Sequence, residues 1–589
     1  MSQQTPATHH FERRWGTEPA GDGLWRARLW APQAEKVELI LTEGETRHAM
    51  ERGEGGWWEA EFPAEAGSAY MFEVDGLRAP DPASRQQSGD VHSPSILHDP
   101  RGYEWRTEWE GRAWEEAVIY EFHVGAFTEE GTFAAAAREL PKLERLGITA
   151  VEIMPVGQFP GTFGWGYDGV LSYAPHNAYG TPEDFKRFVE AAQGMGLMVL
   201  LDVVYNHFGP DGAYIHALAP GFFDKDRQTP WGDAIDYSES AVRSYFIENA
   251  LYWLTEFRLD GLRLDATDQI RDPGSDPELM VELAEEVRKR DWGRPIHLTT
   301  EDNRNITRLH EPEANLYTGE WNDDWHHAIH TLLTGESEDY YATYAVAPLD
   351  DLVIALKDGY VEQGQAREQA PAGPPRGEPS AHLPWSTFVN FNQNHDQTGN
   401  RARGERLLEL ADDPRAVEIA HCLLCLSPFT PMLWMGEEAG ERAPWLFFAD
   451  FTGDLAEGTR KGRQAEFANF SGFTGQVPDP CSRETFEASR PFRGDPAEQD
   501  RWRGLTKELL RLRADVIVPL SRSGRSGSAS ASRTGPRSVA AEWPFRDGTL
   551  RVAGSFGTPP DRAPTFDPDF ARGDIAADPY AFAMSVNPK

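Results

Sequence analysis

The sequence predicts a multidomain α/β protein: a central (β/α)8 TIM barrel, an N-terminal β-sandwich and a small C-terminal β domain. Three observations carry this. The first hundred residues alternate between apolar and polar. From about residue 115 the pattern becomes strand, loop, helix, repeated. The apolar runs of that repeat end in carboxylates or other polar residues. A chain of 589 residues has room for all three units, and 40% hydrophobic residues supply their cores.

The sandwich rests on short alternating runs separated by Gly- and Glu-rich turns: Trp25, Ala27 and Leu29 into Trp30, then Val37 to Leu41, Trp57 to Phe62 and Tyr70 to Val74. The polar stretch Asp81 to Pro100 reads as a connector, which sets this domain at residues 1–105. The barrel, 106–513, takes its strands from eight runs: Val118 to Phe122, Thr149 to Met154, Leu197 to Val204, Gly261 to Asp265, Ile296 to Thr300, Leu316-Tyr317, Thr387 to Asn392 and Pro428 to Trp434. Leu197 to Val204 is almost wholly apolar, as a parallel strand covered on both faces must be. Between the runs lie helical stretches: Phe133 to Leu146, Thr181 (a cap ahead of Pro182) to Gly194, Ala241 to Phe257, and Pro277 to Arg288. Gln369 to Ser380 and Ser521 to Arg537, rich in Pro, Gly or Ser, read as exposed loops. After a helix over Trp502 to Arg513, residues 514–589 lack helical periodicity and read as the C-terminal β domain.

Composition excludes several functions. A net charge of −38 argues against nucleic acid and against an anionic membrane surface, because both need a positive face. No apolar run reaches the ~18 residues of a membrane span. The start, Met1 to His10, lacks the basic and apolar segments of a signal peptide. Three cysteines cannot build a disulfide framework. Cys422 and Cys425 fall inside an apolar run and read as helix core, and Cys481 stands alone. A cytoplasmic protein is expected. The 19 Trp exceed what packing usually needs and suit sugar-binding surfaces.

The chemistry is concentrated at the strand ends. Asp202 closes the third strand, Asp265 the fourth and Glu301 the fifth, and Asp396 follows the seventh. Four acids on one rim repel each other. That cost is carried where acids meet a developing positive charge, bind a metal, or need their proton affinities set apart. Glycoside hydrolysis needs such a set: a nucleophile, a general acid, and further carboxylates around an oxocarbenium-like transition state. Arg263 lies two residues before Asp265 and faces the same side, where it keeps that carboxylate ionised and aimed. His207 and His395 are expected to donate to sugar hydroxyls. A lone strand-end Asp is more often a helix cap or ion-pair partner, but four at one rim, two with a nearby His, outweigh that. Zinc is the other use of the histidines, and adjacency alone, as in His326-His327, does not make a zinc site. Gly161 to Gly166 lacks the Gly-Lys-Ser/Thr of a phosphate loop. With Tyr167 and Asp168 it reads as a rigid turn presenting aromatic faces to a sugar.

The motifs Asp202-Val-Val-Tyr-Asn-His207, Gly261-Leu-Arg-Leu-Asp265, Glu301 after strand five and Asn394-His-Asp396, in this order, resemble the α-amylase superfamily, glycoside hydrolase family thirteen. The resemblance implies Asp265 as nucleophile, Glu301 as general acid/base and Asp396 as transition-state stabiliser. Arg263, His207, His395, Asp202 and Tyr167 would support them. The first domain resembles the module that precedes glycogen-branching and debranching barrels. Finer features are similar to the maltooligosyltrehalose trehalohydrolase family: Tyr120 to Gly125, Pro155 to Pro160, Thr300 to Asn305, Asn322 to His327, Gln393 to Arg401, Gly436 to Glu438 and Phe447-Phe448. That likeness implies cleavage of the α-1,4 bond next to the trehalose end of a maltooligosyl-trehalose. It also implies a pathway pairing with a trehalose-forming synthase. Asp323, Trp325, His326 and His327 are candidates for reading the trehalose end, and Asp268, Gln397, Asn400 and Arg401 complete the expected substrate-binding set. Asn206 falls where many α-amylases place a calcium ligand, but the rest of that loop is not recognisable, so no metal or other cofactor is expected. The alternatives are a branching, debranching or plain α-amylase activity. A non-catalytic sugar-binding barrel is more remote, since it would lack one of the three acids.

Overall fold

The computed structural model describes residues 14–588 except 230, 273, 371–372 and 468–474. Met1 to His10, read above for a leader, lies outside the described residues. Eight parallel strands close into one barrel in sequential order: Ile119–Phe122, Ala150–Ile153, Met198–Val203, Gly261–Leu264, His297–Thr300, Gly319–Trp321, Phe388–Asn390 and Thr430–Trp434. Every residue of these strands is buried, because side chains fill the barrel and helices cover its outside. The helix Pro182–Gly194 starts as the sequence predicts. Thr181 Oγ1 accepts from the Asp184 N–H (3.2 Å), the Asp184 carboxylate accepts from the Thr181 N–H (3.0 Å), and Pro182 sits in the first turn.

Two antiparallel sheets precede the barrel. Gly16–Gly21, Leu24–Trp30, Trp57–Pro63 and Glu51–Arg52 form one; Thr46–Ala49, Val37–Leu41, Ala69–Val74 and Leu77–Ala79, with Ser95–Ile96, form the other. Trp25, Leu29, Trp58, Phe62, Leu39 and Phe72 fill the space between them. After the barrel comes a five-stranded antiparallel sheet of Ser530–Gly535, Ser538–Pro544, Gly548–Phe556, Tyr580–Pro588 and Phe570–Arg572. Its Trp543 indole donates to Leu356 O (2.9 Å) and so ties it to a barrel helix. Cys422 and Cys425 are buried in the helix Pro414–Leu426, as the apolar run implies.

Three expectations are corrected. The sixth strand is Gly319–Trp321, not Leu316-Tyr317. The Leu316 carbonyl is taken by the Arg288 guanidinium (2.8 Å), and Tyr317 packs outward with its hydroxyl on Met280 O (2.9 Å). Asp81 to Pro100 is no loose connector: Asp81, Ser84, Arg85 and Ser95 are fully enclosed. Arg85 donates to Trp15 O (3.0 Å) and lies over the rings of Tyr173 (4.3 Å) and Tyr252 (4.9 Å), cementing sandwich to barrel. Ser521 to Arg537 is not a loop throughout, since it contains the end of the helix Val518–Ser523 and the strand Ser530–Gly535. That strand pairs on one side only, where small polar residues are tolerated. Of Gln369 to Ser380, two residues lie outside the described ones. The rest is a loop, mostly exposed as expected, and Arg376 anchors it by donating to Asn303 O (2.6 Å) and Asp324 Oδ1 (3.1 Å).

Candidate active site

The acids of the strand ends meet around one guanidinium. Arg263, fully enclosed on strand four, donates to Asp202 Oδ2 (2.7 Å) on strand three and to Asp265 Oδ1 (2.8 Å) two residues on. Its other amino group faces Glu301 Oε2 at 3.4 Å. The Trp321 ring lies 4.1 Å from the guanidinium carbon, which keeps water from that side. Asn206 donates to both the carbonyl (2.9 Å) and Oδ2 (2.8 Å) of Asp265, and its amide oxygen meets His207 Nδ1. Asn206 thus holds Asp265 in place.

Backbone geometry fixes Asp265 relative to Glu301. Ala266 adopts a left-handed conformation (φ 42°), which costs a non-glycine residue about 1 kcal/mol. The turn aims the Ala266 N–H at Glu301 Oε2 (2.7 Å) and the Thr267 N–H at Glu301 O (2.9 Å). Burial pushes the Glu301 carboxyl well above the ordinary carboxylate range. Arg263 opposes this, while Asp265, Asp323 and Asp396 add to it. Burial raises Asp202 to about 6 against the pull of Arg263, and raises Asp323 to about 6 with help from Asp396. Asp396 goes the other way. Despite burial, the charge and hydrogen bond of His395 hold it below the usual range.

Other predicted residues fall into three groups. Tyr167 belongs to the centre, its hydroxyl donating to Asp202 Oδ2 (2.6 Å) and touching His395 Nε2 (2.7 Å). Gln397 donates to Asp323 Oδ1 (3.0 Å) and Asn400 to Asp396 Oδ1 (3.3 Å), which brings Asp323, at the start of the helix after strand six, to the three side chains beyond strand seven. Asp268 lies in the turn after strand four, where burial and Asp302 raise its proton affinity. A supporting group is Arg401, whose guanidinium is bidentate on Glu336 (2.7 and 2.6 Å). His207 and His395 stand at the centre, but their ring nitrogens already have protein partners. His207 Nε2 meets Tyr167 O (2.9 Å), and its ring stacks on Trp231 at 4.1 Å.

The third group corrects expectations. Trp325 has no exposed surface: it packs on Phe429 and donates to Asn392 Oδ1 (3.3 Å), so it offers no face to a sugar. His326 spends both nitrogens on Asn392 O (2.8 Å) and Tyr341 Oη (2.9 Å). His327 is enclosed by Tyr340, Tyr341 and Tyr344, and burial lowers its pKa to about 3. His330, one turn beyond His326, is at ligand spacing from it, but its Nε2 contacts Glu336 (2.8 Å). The Gly161 to Gly166 turn likewise uses its rings inwardly. Trp165 stacks on Trp445 (5.6 Å) and meets His395 edge-on, and Phe163 stacks on Phe486 (5.3 Å), leaving Tyr167 to hydrogen-bond at the site. Sequence reasoning missed Glu121, Trp321 and Trp231. Glu121 carried the one available signal, a charged residue inside an otherwise apolar barrel run.

Residues 14–89 match the carbohydrate-binding module 48 (isoamylase N-terminal domain) family, and residues 111–231 the alpha-amylase catalytic domain family. A malto-oligosyltrehalose trehalohydrolase of Deinococcus radiodurans is 40% identical over 88% of this chain and 87% of its own length. The Arthrobacter ramosus enzyme of the same name is 39% identical over 90% and 92%. The chain belongs to the malto-oligosyltrehalose trehalohydrolase family. It is a glycoside hydrolase acting on an α-glucan, and the sandwich and barrel are those of its family. A solved structure described as a putative alpha amylase from Salmonella typhimurium superposes with a TM-score of 0.94 at 46% identity, covering 98% of this chain and 100% of that one. A pullulanase from Anoxybacillus with bound maltotetraose, at TM-score 0.71 and 18% identity over 98% and 88%, shares the fold. Among the described residues no helix is long and apolar enough to cross a membrane.

Proposed function

We propose that the chain hydrolyses the α-1,4-glucosidic bond next to the trehalose end of maltooligosyl-trehalose by a retaining, two-step route. Asp265 attacks the anomeric carbon while Glu301 gives its proton to the glycosidic oxygen, and trehalose leaves. Glu301, now a carboxylate, takes a proton from water, and that water releases the maltooligosaccharide from its ester with Asp265. Asp396 faces the positive charge that builds on the sugar ring. The observation that carries this assignment is the unequal setting of two carboxyls that share Arg263. Asp265 takes short hydrogen bonds from Arg263 and Asn206, which aim it as a nucleophile. Glu301 takes one from Ala266, stands further from the guanidinium, and is pushed toward its protonated form.

Asp323, Gln397 and Asn400 stand beside Asp396 and are assigned to the trehalose side of the bond; Trp325 and His326 are not. Residues 1–105 are assigned to the carbohydrate-binding-module-like domain, 106–513 to the catalytic domain and 514–589 to the C-terminal domain. The enzyme works in the cytoplasm, with no cofactor, no nucleic-acid or membrane partner, and downstream of a synthase that makes the trehalose end. Product analysis on maltopentaosyl-trehalose and maltohexaose at equal concentration tests the substrate. Fast release of free trehalose from the first and slow attack on the second is the expected result. Equal cleavage of both, or transfer products from the second, would reassign the chain to plain amylase or branching chemistry.

A further inference from the structure

Glu121 is a charged side chain where the barrel should be apolar. It lies on strand one, 1% exposed, facing the start of the short helix that carries Asp396. Its Oε2 accepts the main-chain N–H of His395 (3.2 Å), and its Oε1 pairs with the ring Nδ1 of the same residue. The opposite ring nitrogen, Nε2, contacts Tyr167 Oη at 2.7 Å and Asp396 Oδ2 at 3.2 Å. The single hydroxyl proton of Tyr167 goes to Asp202 Oδ2 (2.6 Å), so toward His395 the tyrosine oxygen accepts and Nε2 must donate. Carboxylates then face both ring nitrogens, and the backbone bond to Oε2 favours Glu121 as the ionised partner. The Tyr167 ring stacks on the imidazole at 5.1 Å, and Trp165, Trp321 and Trp434 close round it.

We propose that Glu121 is a positioning residue for glycoside cleavage: it clamps His395 at ring and backbone and keeps it a doubly protonated imidazolium that holds Asp396 ionised and in place. This rests on the reading of Asp396 as the transition-state stabiliser. The other groups facing His395 do not substitute for Glu121. Glu152 on strand two, in register with Glu121, has both oxygens without a hydrogen-bond partner, and burial drives it to the neutral form. His123 is lowered to about 4 by burial and is neutral as well. Asp202 is committed to Arg263 and Tyr167, and Arg263, a cation, opposes a charge on the ring. Removing the charge of Glu121 therefore lets His395 lose its proton at lower pH, and Asp396 loses its cationic neighbour.

The test is Glu121→Gln, which keeps shape and removes charge. Its kcat should fall by about tenfold or more with KM changed by less than about threefold, because Asp396 is misplaced at the transition state and not in the ground state. The alkaline limb of its kcat profile should move to lower pH. Glu121→Asp restores the charge on a shorter stem, and should return the limb toward wild type while kcat recovers only in part. A measurement on the unaltered protein removes dependence on variant folding. Nitrogen-15 NMR of its histidines, with His395 assigned through His395→Asn, should show both ring nitrogens protonated at about pH 8. A neutral His395 there, or Glu121→Gln with wild-type kcat and limb, overturns the proposal. Release of trehalose by the wild type judges the substrate separately, so failure of one is not failure of the other.

Discussion

At the scale of single residues, the centre works by making chemically similar carboxyls unequal. Glu301 is partly open to the cleft yet raised by burial and by three neighbouring acids, while Asp396 is lowered by the imidazole beside it. Glu301→Gln should lose about 10²–10⁴-fold on the natural glucoside, whose leaving group needs a proton. It should lose far less in the first step on an aryl α-maltoside, whose leaving group does not; equal losses on both would remove Glu301 from the acid role. Asp323 is one of the charges that raise Glu301, so in Asp323→Asn the acid gives up its proton sooner. The alkaline limb of the pH profile then moves to lower pH, and an unmoved limb would separate the two groups. Asp265 and Glu301 were marked in the sequence because each ends an apolar strand run, Asp396 because it follows one, and Arg263 because it shares a face with Asp265 on one strand. Glu121 was not, since its partner His395 is 274 residues away and only barrel closure brings them together.

At the scale of elements, strand-end loops decide where the side chains point. Gly209, after strand three, lies so close to the loop carrying Tyr167 that an added Cβ would sit 2.1 Å from Asp168 O. Backbone cannot yield by that much without moving Tyr167, which bridges Asp202 and His395. Gly209→Ala should therefore cut kcat by about 10²-fold while leaving circular dichroism in place, as misplacement by ~1 Å does. Kinetics within twofold of wild type would show that the loop adapts. The periodicity of apolar residues revealed most strands and helices. It failed at the sixth strand, where only three residues pair and a two-residue apolar run nearby packs outward instead. The choice of Trp325 and the adjacent histidines as sugar contacts failed for another reason. A motif places residues in order along a helix, but the helix's rotation decides which face meets the cleft.

At the scale of the molecule, charge sets the response to pH. Asp202 and Asp323 titrate near 6 in the folded protein, Glu438 near 7 and Glu437 near 8, against roughly 4 in an unfolded chain. These acids hold protons in the folded state that the unfolded chain has released, so their contribution to stability falls as pH rises. Below about pH 6.5 buried histidines such as His123 and His327, protonated in the unfolded chain but neutral in the fold, oppose it, and above that pH the acids alone set the slope. A net charge of −38 adds repulsion in the same direction. Calorimetry should give a higher Tm near pH 7 than near pH 9. Salt should recover the surface part of the loss and not the part owed to buried acids, since only exposed charges are screened. A flat Tm across that range would contradict the buried cluster. By itself the sequence determined the order of strands and helices, the acids that end them and the family these motifs mark, because apolar periodicity and strand-end chemistry are local. Only the tertiary structure decided which side chains meet: Glu121 under His395, Asn206 on Asp265, Arg85 between sandwich and barrel, and Trp325 against Phe429 in the core. Those pairings depend on how a closed barrel rotates and spaces its elements, and no single stretch of chain encodes that.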